Sequence, residues 1–153
     1  MTNEESVKAQ ELRNMLGRET PPLEIEVEQG NFRRWAEAVG DYNPLWTDPQ
    51  YAKKSRYGYT IAPPTFAIDR GIIPLADQLI PLSPKFLNGG TEIEFLKPIK
   101  VGDTITTTAK LIDIKEKAGS TGKLVFMTLE INYKNQNGEL VRKAKNTFIQ
   151  VFG

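Results

Sequence analysis

The 153-residue chain contains no histidine and no cysteine. Those absences exclude a structural zinc site built on the usual imidazole and thiolate ligands, a Ser-His-Asp or Cys-His nucleophile system, and any disulfide. Acid–base chemistry is left to carboxylates, Lys and Tyr. Long apolar runs are missing too: none approaches the roughly 20 residues needed to span a bilayer, and the polar first turns lack the apolar centre of a secretory signal. A cytoplasmic protein with no membrane partner is expected. Nor is there an excess of either charge, since 20 basic and 19 acidic side chains leave a net charge of +1, which gives no general attraction for nucleic acid. No Gly-rich phosphate loop occurs. Asp41-x-Asn43 opens like a calcium loop, but Pro44 follows and the required glycine is absent, so neither metal nor cofactor is expected.

The patterning that is present describes one domain over residues 1–153, with 1–20 as a peripheral N-terminal segment. Val7, Leu12 and Leu16 have loose helical spacing up to a stop at Gly17. Leu23, Ile25 and Val27 alternate with glutamates, as in a strand with one buried face. Phe32, Trp35, Ala36 and Val39 put an apolar stripe on a helix that ends at Gly40. Asp48-Pro49 has the N-cap and first-turn pattern of a short helix over Gln50 to Ser55. Thr65 to Leu79 is apolar nearly all round, which predicts a helix begun by Pro63-Pro64, buried on most sides, and kinked or split at Pro74. Residues 83–90 read as irregular.

Beyond Gly90 the period becomes two. Ile93 and Phe95 alternate with Glu92 and Glu94. Ile105, Thr107, Ala109 and Leu111 share one face, then Ile112 and Ile114 take the other phase, which places a β-bulge near Leu111. Val125 to Tyr133 alternates cleanly, Asn137-Gly138 marks a hairpin, and Leu140 to Phe152 closes the sheet. The expected fold class is α+β, a long antiparallel sheet wrapped around a central helix.

The segment from Ala38 to Phe66 gathers polar loop residues among aromatics. Local chemistry reads Asp41 and Asn43 as an Asx-type turn, or as a carboxylate and carboxamide projecting beyond the helix. Gly40-Asp41-Tyr42-Asn43-Pro44-Leu45-Trp46-Thr47-Asp48, followed by Ile61-Ala62, resembles the D-x-N-P-x-H hallmark of the MaoC-like (R)-specific hydratases and dehydratases. Ala62-Pro63-Pro64-Thr65-Phe66, Lys97-Pro98 with Gly102-Asp103, and Asn135 to Val141 are similar to its N-terminal MaoC dehydratase (Pro-Pro) subfamily. The resemblance runs from about Pro22 to Gly153 and implies a hot-dog fold, usually paired into a double hot dog.

It also implies chemistry, with two departures. In active members the Asp and His of the hallmark activate water for addition to a 2-enoyl thioester. Asp41 and Asn43 are therefore the candidate catalytic residues, but Trp46 stands at the histidine position, and an indole N–H cannot accept a proton. Active members also follow Ile-Ala with His-Gly, where a backbone N–H polarises the thioester carbonyl. The matching Pro63 and Pro64 have no N–H, which leaves Thr65 or Phe66 as replacement donors.

The resemblance therefore implies an acyl-thioester-binding subunit of a 2-enoyl-CoA hydratase or 3-hydroxyacyl-thioester dehydratase, taking acyl-CoA or acyl-carrier protein and completed by a His-bearing D-x-N-P-x-H partner. Trp46, Pro64, Thr65, Phe66, Tyr57 and Gly58 are its candidate substrate-binding residues, with core packing the alternative for Trp46. The alternative functions are a self-sufficient homodimeric hydratase or thioesterase with Asp41 as base, and a non-catalytic acyl-CoA-binding module. Arg33-Arg34 and Lys53-Lys54 read as solvated faces or as contacts to CoA phosphate.

Overall fold

The computed structural model describes residues 10–66, 68–79, 86–120 and 122–152. Strand β1 is Leu23–Glu26, and helices α1 (Gln29–Val39), α2 (Pro44–Thr47), α3 (Pro49–Lys54) and α4 (Ile68–Leu79) follow. Four long strands complete the chain: β2 (Phe86–Phe95), β3 (Thr104–Gly119), β4 (Gly122–Lys134) and β5 (Leu140–Phe152). All pairings are antiparallel, in one five-stranded sheet of order β1-β3-β4-β5-β2. Helix α4 packs on β3 and β4, so the sheet curves around it in the hot-dog arrangement.

Periodicity explains most of this. On β4, Val125, Met127, Leu129, Ile131 and Tyr133 are all buried, and their intervening neighbours are half-buried. The β3–β4 register shifts between Leu111 and Asp113, leaving Ile112 as the extra residue of the expected bulge. The turn after Asn137 uses a left-handed Gly138 (φ 74°), whose N–H reaches the Asn135 carbonyl at 2.9 Å. The helical turn at residues 10–14 ends before a left-handed Gly17, and the earlier part of that expected helix lies outside the described residues.

Three expectations need correction. Helix α4 begins at Ile68 rather than Thr65, because residues 64–66 form a separate turn in which the Phe66 N–H bonds the Pro63 carbonyl at 2.9 Å. From Ile72 to Leu79, where its side chains are described, it is not buried on most sides: Ile72, Leu75, Ala76 and Leu79 form a single inward stripe at i, i+3, i+4 and i+7, and Ile73 is 53% exposed. Pro74 lies inside this helix. Finally, β2 already runs from Phe86, with a bulge between Asn88 and Gly90, through a stretch read from sequence as irregular. The two glycines there masked the strand signal. β2 is an edge strand exposed along most of its length.

Candidate active site

The end of α1 fixes the start of the site. Gly40 adopts a left-handed conformation (φ 72°), and the Asp41 N–H turns back to the Ala36 carbonyl at 3.1 Å, a Schellman closure. This points the chain into residues 41–48. There Asp41 Oδ1 accepts the Asn43 N–H at 3.2 Å, and Asn43 Oδ1 accepts the Leu45 N–H at 3.0 Å. Asn43 is thus the N-cap of α2, with Pro44 as its first residue. The Asx-turn chemistry read from the sequence is in place, and both side chains hold the loop that carries them. Replacing Asn43 with Ala should cost about 0.5–2 kcal/mol in urea unfolding, the usual cost of a lost N-cap.

Trp46 is 6% exposed and belongs to the core cluster. Its indole N–H donates to the Asp41 carbonyl at 3.1 Å, and its own carbonyl accepts from Gln29 Nε2 at 2.9 Å, tying the turn to the start of α1. The core-packing alternative for Trp46 therefore describes its place in the single chain. The turn meets the second candidate segment through the Ile61 N–H, which bonds the Leu45 carbonyl at 3.3 Å. Phe66 is buried there, its ring edge-on to Phe32 with centroids 4.9 Å apart.

Two openings adjoin the turn at residues 64–66. One is a cavity of about 310 Å³ whose walls include Tyr57, Ile61, Pro64, Phe95 and Ile99, with Arg142 among its lining residues. The other is a larger apolar groove of about 580 Å³ along α4, bounded by Trp35, Val39, Thr65, Ile73, Phe86 and Phe148. The outer members of the α1 stripe, Trp35 and Val39, are thus left to wall the groove, and Phe32 and Ala36 enter the core. The candidate residues are distributed rather than convergent. Tyr57 and Pro64 face the cavity, Thr65 faces the groove, Phe66 lies beneath, and Gly58 occupies a left-handed turn position (φ 75°). Asp41, Asn43 and Trp46 line neither opening. Of the two replacement donors, the Phe66 N–H is already engaged, which leaves that of Thr65.

Sequence reasoning missed Arg142 and Asn146. Both are buried on β5, and Asn146, one of the residues lining the groove, accepts the Thr91 hydroxyl while its buried Nδ2 has no hydrogen-bond partner among the described residues. The signal that exposes them is register. Arg142, Ala144, Asn146, Phe148 and Gln150 share the buried phase of the strand. Each phase of this strand mixes polar and apolar residues, so alternation alone does not say which faces inward.

A five-stranded antiparallel sheet around one helix is the hot-dog fold, shared with solved structures of an (R)-hydratase and of a MaoC-like dehydratase from Rhodospirillum rubrum. Residues 14–144 match the family described as FAS1-like, dehydratase domain region, and the chain belongs to that family. A UPF0336 protein from Saccharopolyspora erythraea is 34% identical over 142 residues, covering 89% of this chain and 88% of its own length. A probable enoyl-CoA hydratase alpha subunit from Thermomonospora curvata is 28% identical over 128 residues, covering 72% of this chain and 40% of that protein. Among solved structures, the HadBC (3R-hydroxyacyl-ACP dehydratase) complex from Mycobacterium tuberculosis superposes with a TM-score of 0.76 at 21% identity, covering 88% of this chain and 96% of that one.

Proposed function

We propose that this chain is the acyl-thioester-binding subunit of a hydratase or dehydratase whose water-activating imidazole comes from a second, His-bearing hot-dog subunit. The observation that carries the reading is the state of Trp46. At the position where the family's imidazole is expected stands a buried indole whose N–H is spent on the Asp41 carbonyl, in a chain without histidine. That group has no lone pair to take a proton from water.

The binding half of the reading rests on the groove. Its walls are apolar along α4, as an acyl chain requires, and Thr65 lines it at the turn before that helix. The Thr65 backbone N–H could hold the thioester carbonyl in place of the N–H that Pro64 lacks. Asp41 and Asn43 then shape the loop, and Asp41 keeps a second carboxylate oxygen for a partner's imidazole or water. The relative named as an enoyl-CoA hydratase alpha subunit and the HadBC complex support assembly from unlike hot-dog chains.

The test is binding without turnover. The purified chain is expected to bind crotonyl-CoA in equilibrium dialysis and return it unchanged. Ile73→Asp places a carboxylate in the apolar groove at an exposed position, so the chain should stay folded while affinity falls about tenfold or more. Unaltered affinity in a folded Ile73→Asp variant would remove the groove from the reading.

A further inference from the structure

Arg142 is 3% exposed, yet no carboxylate among the described residues pairs with it. Its Nη1 donates to the Phe66 carbonyl at 2.7 Å, and its Nε–H has no acceptor among the described residues. The guanidinium carbon lies 5.3 Å from the Tyr133 ring centroid and 5.5 Å from that of Phe95. Ring faces hold a cation in position but do not neutralise it. Burial pushes the guanidinium below its ordinary pKa, with an opposing Coulomb attraction from Tyr133, and an arginine starts high enough to stay charged at neutral pH. Burying a cation without a counter-charge carries a heavy desolvation cost. The fold tolerates that cost at the edge of a cavity of about 310 Å³, near the lower limit for small-molecule sites.

We propose that this cavity is a receptor for a small monocarboxylate with an apolar body, its carboxylate carried to Arg142 and its body held by Tyr57, Ile61, Pro64, Phe95, Pro98 and Ile99. One guanidinium matches one carboxylate, which it can meet through a bidentate pair of N–H groups. A phosphate dianion fits poorly. The other cation lining the cavity, Lys97, is already paired with Glu139, whose own carboxylate repels a second negative charge at the same rim. The walls are otherwise apolar, so the ligand gains by carrying hydrocarbon or an aromatic ring. The site is separate from the acyl groove: Pro64 faces one opening and Thr65 the other, so either assignment can fail alone.

The experiment compares benzoate, its uncharged isostere benzamide and inorganic phosphate, titrated by calorimetry into the full chain. Benzoate is expected to bind at least about tenfold more tightly than benzamide, phosphate is expected not to compete, and Arg142→Met should remove the preference for the acid. Arg142→Lys, which keeps the charge and loses the fork, should retain part of it, and this variant serves if the methionine one does not fold. Equal binding of benzoate and benzamide, no saturable benzoate binding, displacement by phosphate, or a preference that survives Arg142→Met would each overturn the proposal.

Discussion

Replacing Trp46 with histidine and Pro64 with glycine in one chain is expected to raise the rate at which the isolated protein hydrates crotonyl-CoA by about 10²-fold, the low end of what a positioned general acid–base group contributes. Trp46 follows the Asx turn that holds Asp41, and an imidazole there restores a proton acceptor in the spacing Asp41-x-Asn43-Pro44-x-His. Glycine at 64 restores an N–H at the head of the turn before α4. The double variant should be less stable, because a buried indole is replaced by a smaller and more polar ring. Activity is therefore read alongside a thermal melt. A folded, inert double variant would show that these positions do not reproduce the active members' geometry.

Phe32→Ala is expected to lose about 3–5 kcal/mol, the range for emptying a fully buried phenylalanine site. That is a large part of the roughly 5–15 kcal/mol that holds a typical domain together. Phe32 is 0% exposed and meets Phe66 edge-on, so the deletion opens a void between α1 and the turn at the head of α4. Substrate binding should weaken with stability, since that contact positions Thr65 and Pro64. The shift of the urea midpoint, with the slope checked for two-state behaviour, measures it. A loss below about 1 kcal/mol would mean that the two segments are held together by something other than this pair.

The sheet was legible because hairpin-linked strands with one buried face write their register into a period of two. On β3 the run from Ile105 to Leu111 sets the phase, its reversal at Ile112 located the bulge, and Asn137-Gly138 located the last turn. The Asx turn at Asp41 and Asn43 was legible for a different reason, since their side chains act on backbone groups only two residues away. Long-range facts were not legible. The apolar composition of residues 65–79 could not reveal that one side of α4 is left uncovered, because that depends on what the rest of the chain provides. Arg142 stayed hidden because its strand mixes polar and apolar residues in both phases, and its cavity is built from segments distant in sequence, at 57–64 and 95–99.

If this chain binds the thioester and a partner's imidazole activates the water, mixing the two subunits restores turnover. Crotonyl-CoA hydration is measured for the pure chain, for a D-x-N-P-x-H hot-dog subunit, and for the two together. Negligible turnover is expected from this chain alone and a rate on the order of 10²–10⁴ higher from the mixture, the contribution of a general acid–base residue. Comparable turnover by the pure chain, abolished by Asp41→Asn, would contradict this and assign the base to Asp41.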